Sequence, residues 1–153
     1  MNRENMLKES LIKLFDRDLK ILKSEIESYK NESDLWKVKK GIANSAGNIC
    51  LHVVGNLNWF VGAQLGNTGY VRHRELEFSI TNVPRVELLI EIDKTRIMLE
   101  NTLLKVSHDQ LEAEFPLVVF KEKTSTGYFL IHLTTHLAYH LGQINYHRRL
   151  VNN

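Results

Sequence analysis

From Ser125 to Val151 the chain reads STGYFLIHLTTHLAYHLGQINYHRRLV, with Leu130, Leu133, Leu137, Leu141 and Ile144 recurring every three or four positions. That period puts the five side chains on one face of an α-helix, and the run is far too long for a strand. Ser125 or Thr124 supplies an oxygen that caps the first turn, so a helix is expected to extend to about Val151. Beside the apolar stripe stand His132, His136, His140 and His147. At the α-helical repeat these four imidazoles fall within a sector about 80° wide. His136 and His140, in HLAYH, lie one turn apart and can reach a single metal ion from the same side. A third ligand has to come from another helix.

The rest of the chain repeats the helical signal. Residues 3–30 carry Leu7, Leu11, Leu14, Phe15, Leu19, Leu22, Ile26 and Tyr29 as one stripe, with charged residues on the other side. A polar segment with an isolated Trp36, NESDLWKVKKGIAN, separates this helix from a second one, expected from an N-cap at Ser45 to about Leu65 and ending in the turn GNTG at 66–69. YVRHRELEFSITN lacks a stripe and reads as an extended connection lying over the bundle. Pro84 suits the first turn of a third helix reaching about Lys105. That helix carries two stripes, Leu88, Ile92, Leu99 and Leu103 on one side and Val86, Ile90, Ile97 and Leu104 on the other. One faces the core, and the other needs a neighbouring connection or a second subunit. Ser107 and Gln110 form the capping box of a short turn, after which EFPLVVFKEK is short and β-prone. The expected fold is therefore all-α, a four-helix bundle forming a single domain over 1–153, with a long connection between the second and third helices and a short extended segment before the fourth.

Composition narrows the function. The 153 residues carry 20 Lys+Arg against 18 Asp+Glu, a formal net charge of +2, which argues against a dedicated nucleic-acid binder. The clusters Lys37, Lys39, Lys40 and Arg148, Arg149 read as solvated surface. A single cysteine, Cys50, excludes an internal disulfide, and it reads as a small core residue rather than a nucleophile. MNRENMLKES lacks the apolar core of a signal peptide, and no apolar run approaches the roughly 18 residues of a membrane span. A soluble, cytoplasmic protein with no nucleic-acid or membrane partner is the expectation.

The second helix offers His52 in NICLHVVGNLNWF, with Asn48 and Asn56 one turn away on either side. Gly47, Gly55 and Gly62 share that region, and each costs about 1 kcal/mol relative to Ala inside a helix. Something must need the space, either close packing or access to a ligand, and Gly142 beside the histidine stripe reads the same way. Three imidazoles from two helices, with a coordination position left open, would make a catalytic rather than a structural divalent site. Periodicity alone does not tie His52 to the His136 and His140 pair, and i,i+4 histidines also occur on exposed helices. HLAYH resembles the H-E-x-x-H motif of zinc peptidases, but Leu137 occupies the place of the catalytic glutamate, which disfavours peptidase activity.

His52 in a helix ending NLNWF, together with NSAGN at 44–48, GNTGYVRHRELEF at 66–78 and HLAYHLGQI followed by HLGQINYHRR at 140–149, resembles the DinB-like, YfiT-like superfamily of bacterial metal-binding bundles, and does so over essentially the whole chain. The resemblance implies a four-helix bundle of up-down-down-up order, commonly a homodimer, holding nickel, zinc, iron or another divalent ion through His52, His136 and His140. It also implies chemistry of the kind found in metal-dependent transferases that use low-molecular-weight thiols such as bacillithiol, mycothiol or glutathione, although a superfamily does not fix a reaction. A thiol-transfer site needs cationic and amide groups at its mouth; Arg72, Arg74 and Arg149 are candidates, with Asn48, Asn56 and Gln143 as further substrate or supporting contacts. For Arg72 and Arg74 the competing reading is a surface ion-pair network with Glu75 and Glu77. Trp59 and Tyr139 read as core aromatics that could also line a pocket; His132 is an alternative ligand, and His147 is placed near the mouth.

Two alternatives stand beside the thiol transferase. A metal-dependent hydrolase would need a carboxylate base, for which Asp93 or Glu100 of the third helix could approach. A noncatalytic bundle would use the histidines for metal storage or leave them structural, acting as a dimeric interaction module.

Overall fold

A computed structural model describes residues 3–152; Met1, Asn2 and Asn153, part of the expected 1–153 domain, lie outside them. Helix α1 (Arg3–Glu27) exists because Leu11, Phe15, Leu19, Leu22 and Ile26 recur at helical spacing, and all five are buried. It ends at Glu27, short of the expected residue 30, and Tyr29 enters the core from the turn beyond it. The polar segment that follows is not featureless. Glu32–Trp36 forms a 3₁₀ turn that buries Asp34 and Leu35 and lays the Trp36 ring against Gly47.

Ser45 caps α2 (Ala46–Leu57), its hydroxyl accepting from the Asn48 amide at 3.2 Å. The helix then widens into a π-helical stretch, Asn58–Ala63, the kind of insertion that often marks a functional site. The GNTG turn follows as expected, with Asn67 and Gly69 at φ of 48° and 75°.

The connection expected to be extended contains a short helix, α3 (Arg74–Ser79), which packs on α2. Asn48 fixes it there by donating to the carbonyls of Glu77 and Ile80, and this tertiary contact supplies what the six residues lack in periodicity. Pro84 is the N-cap of α4 (Arg85–Lys105) and so sits just before the first turn. Leu88, Ile92, Leu99 and Leu103 are buried, whereas Val86, Ile90, Ile97 and Leu104 stand exposed. The Ser107 and Gln110 capping box opens α5 (His108–Glu112). The β-prone EFPLVVFKEK forms no strand among the described residues; an isolated bridge joins Glu114 to Ser125, since no second strand is present to extend the pairing. Ser125, rather than Thr124, caps α6 (Thr126–Val151).

The protein is thus all-helical, with four long helices. Both α1 and α2 pack on α4 and α6. Asp16 meets Arg96 and Lys23 meets Asp93, so α1 and α4 run antiparallel, while Glu25 with Arg148 and Tyr29 with His147 join the C-terminal ends of α1 and α6. His52 faces His136 and His140, and Phe60 faces Phe129, so α2 runs against α6. Among the described residues, no helix is long and apolar enough to cross a membrane.

Candidate metal centre

Opposed directions of α2 and α6 bring His52 from one helix against His136 and His140 from the other. His52 is 7% exposed and the α6 pair is half-buried. The Nε2 of His136 lies 3.4 Å from that of His52 and 3.1 Å from that of His140. The three imidazoles each offer one nitrogen within 4.8 Å of the others. Metal–nitrogen bonds of about 2.0–2.1 Å in tetrahedral geometry place ligand atoms about 3.4 Å apart, so the donor set fits a divalent ion of zinc-like size.

Neighbouring residues fix which ring nitrogen points inward. A carboxylate can only accept, so the Nδ1–H of His52 donates to Glu77 Oε2 at 2.9 Å and leaves Nε2 facing the centre. Glu77 is itself buried and held by both sides of the Arg72 guanidinium, Nε to Oε1 at 2.6 Å and Nη2 to Oε2 at 2.9 Å. Burial alone would raise the Glu77 pKa, but hydrogen bonds from His52 and Arg72 outweigh it and hold the carboxyl below its ordinary value. The Nδ1–H of His140 donates to Gln143 Oε1 at 2.8 Å, and Gln143 in turn donates to the Tyr139 hydroxyl at 3.3 Å. Burial, together with the neighbouring His140, His52 and His132, pushes His136 down to about 4. Burial also lowers His140, against the Gln143 bond. Both rings are therefore neutral near pH 7, with lone pairs available to a metal.

The remaining candidates separate. Asn48 ties α2 to α3, both amide hydrogens going to the carbonyls of Glu77 and Ile80. Asn56, one turn beyond His52, is buried, and its Oδ1 makes no hydrogen bond among the described residues. Gln143 orients His140. Arg72 forms the ion pair with Glu77 that the competing reading expected, but the pair is buried behind His52 rather than on the surface. Arg74 lies over the Phe78 ring at 5.3 Å. Arg149 lies over Tyr146 at 5.2 Å, nine residues beyond His140. His132 packs edge-on to Phe120 at 4.8 Å and stays outside the three-nitrogen cluster.

His147, expected near the mouth, is 4% exposed and structural: Nε2–H donates to the Lys37 carbonyl at 2.8 Å and Nδ1 accepts from Tyr29 at 2.7 Å. Asp93 pairs with Lys23 of α1, Glu100 is exposed, and neither belongs to the three-histidine cluster. Cys50 is fully buried, its thiol pushed up to about 12, as suits a core residue. Tyr139 is exposed rather than core.

The helix glycines are explained by packing. A Cβ at Gly55 would overlap the Glu77 carboxylate, one at Gly47 would meet the Trp36 ring, and one at Gly62 would press on Met98. At Gly142 it would meet nothing, so no close packing requires that glycine. Glu77 is the functional residue the sequence alone did not single out. A cavity of about 430 Å³ opens beside His140, with Phe78, Tyr139 and Gln143 in its wall.

A family described as "Protein of unknown function (DUF1572)" matches residues 3–153. No curated protein matches the chain.

Proposed function

The chain belongs to the DUF1572 family, and on that premise we propose that it is a divalent-metal-binding protein of the DinB-like, YfiT-like kind, a four-helix bundle of up-down-down-up order that serves as a metal-dependent transferase using a low-molecular-weight thiol. The helix directions described above support that order. The observation that carries the metal reading is the convergence of three Nε2 atoms from two helices, two of them aimed by Glu77 and Gln143. A divalent ion held by three neutral imidazoles keeps a position for an outside ligand and lowers that ligand's pKa, which is what a thiol needs in order to react as thiolate.

The chain's own part is to present three imidazole nitrogens, to keep His52 and His140 in one tautomer, and to offer a cavity beside them. Thiol chemistry is favoured over hydrolysis because hydrolysis asks for a carboxylate base. Among the described residues the carboxylate at the site is Glu77, which is committed to His52 and Arg72. The exposed stripe Val86, Ile90, Ile97 and Leu104 on α4 is the surface assigned to a second copy of the chain, and a single-chain mass by sedimentation equilibrium would remove that assignment.

The first test is elemental analysis of purified, untagged protein beside a His136→Ala, His140→Ala variant, after adding divalent ions and removing the excess. One ion per chain is expected in the native protein and none in the variant. No metal in either removes the centre. The second test screens thiols against electrophiles: turnover that needs both thiol and metal is expected, and ester or amide hydrolysis without thiol would replace the transferase reading.

A further inference from the structure

We propose that the cavity beside His140 and the basic depression next to it form one slot for an elongated apolar molecule carrying a single anionic end, an aliphatic or aromatic acid. The proposal names the substrate class of the centre described above and rests on that reading for which end reacts, though not for binding itself.

The cavity lies between α6 and the segment leading into α2. Its volume, about 430 Å³, is within the range of small-molecule pockets. Ile42, Ile49, Phe78, Tyr139, Tyr146 and Leu150 supply most of its wall, and no Asp, Glu, Lys or Arg side chain lines it. Among its polar side chains, His147 and Gln143 are already committed, and the neutral Asn44 amide and Tyr146 hydroxyl complete the wall. Both ring nitrogens of His147 are bonded, to Tyr29 and Lys37, and Gln143 is bonded at one end to His140 and at the other to Tyr139. A charged group would lose water here and gain no charged partner, whereas an apolar body covers apolar wall.

The slot has two chemically different ends. At one, His140 of the metal centre is itself a wall residue. Past the other, a second depression is lined by Lys30, Arg148 and Arg149, and it shares Tyr146 and Leu150 with the cavity. Those shared residues are 64% and 46% exposed, large apolar side chains left open where the two spaces meet. From His140 to Arg149 the rise along α6 is about 14 Å. A ligand laid along the cavity sets its apolar body between Phe78 and Leu150 and its opposite end at the histidines; Arg148 is taken up by Glu25 and Lys30 by the Asn152 carbonyl, so its anion meets Arg149, which reaches over the Tyr146 ring from the adjoining side of α6. Free glutathione-like thiols, which are charged at several points, do not match this wall, so the slot is assigned to the electrophilic partner.

The test is titration calorimetry with octanoate, 1-octanol and butyrate, on the protein as purified and after EDTA treatment, with Arg149→Gln and Leu150→Asp variants. Octanoate is expected to bind both preparations roughly tenfold more tightly than octanol, and butyrate to bind neither. Arg149→Gln should abolish the preference for octanoate while leaving octanol unchanged, and Leu150→Asp should weaken both. Equal binding of octanoate and octanol, or no binding of either, overturns the proposal. So does octanoate binding that disappears with EDTA, because the carboxylate would then be on the ion. Loss of the metal centre in elemental analysis would leave these EDTA-treated results standing, so the two readings fail separately.

Discussion

Glu77 is the side chain on which the geometry of His52 depends. It accepts the Nδ1–H of His52 and is gripped by Arg72, so its charge is both buried and satisfied. Replacing it with Gln keeps an acceptor but loses the charge and the two-point contact with Arg72. Glu77→Gln is therefore expected to weaken zinc binding by about 10–100-fold, as loss of such supporting carboxylates does, with the fold retained. Competition against a chelator measures this, and unchanged affinity would mean that His52 is held by packing alone. Asn56 offers the opposite case. Its buried Oδ1 lacks a partner among the described residues, a cost of about 1–3 kcal/mol that natural selection tolerates where function demands it. Asn56→Leu, with the same branching and no polar atom, is expected to raise stability by about 1 kcal/mol in urea unfolding. A loss of stability would reveal an unrecognised partner for the amide.

At the scale of elements, α2 and α3 are one device. α2 presents His52, α3 presents Glu77, and Gly55 leaves the gap through which the two meet. A Cβ at Gly55 must displace the carboxylate, so Gly55→Ala is expected to destabilise the protein by about 1–3 kcal/mol and to weaken the metal as Glu77→Gln does. In a Glu77→Ala background the clash is gone and only helix propensity remains, so the same change should stabilise by up to about 1 kcal/mol. A cost that persists in that background would place the obstacle elsewhere. The pair also marks where reading the sequence stopped. A glycine inside α2 announced that something needed room, but which residue fills it is a contact between positions 22 apart, invisible to periodicity. Six residues of α3 are too few to show a stripe, and Glu77 looks like any surface glutamate until Asn48 ties the segment down. The four long helices were legible because each buries a stripe over three turns or more. His136 and His140 were legible because both lie on one helix, whereas joining His52 to them needed the directions of α2 and α6.

For the whole molecule, the C-terminal ends of α1 and α6 are joined by a set of polar contacts beside the apolar core of Ile26, Ile144 and Val151, and this is the end that carries the basic depression. Tyr29 and His147 bond in the interior, Lys30 reaches Asn152, and Glu25 pairs with Arg148 at 2.6 Å while also accepting from Asn145. Glu25 is only 13% exposed at the side chain, so burial would raise its pKa. The bonds from Arg148 and Asn145 outweigh that and hold it below its ordinary 4.5. A carboxylate depressed by folding stabilises the native state at every pH above its unfolded value, and the contribution is lost as pH falls through the folded value. Glu25→Gln is therefore expected to cost about 1–2 kcal/mol at neutral pH, the worth of a half-buried charge-assisted contact. The difference from wild type should hold above 4.5 and shrink as pH falls through the depressed folded value, where wild-type Glu25 itself becomes protonated. Urea unfolding across that interval decides it: a difference that stays constant with pH would assign the role of Glu25 to packing, and one that grows on acidification would reverse the sign of its coupling to the fold.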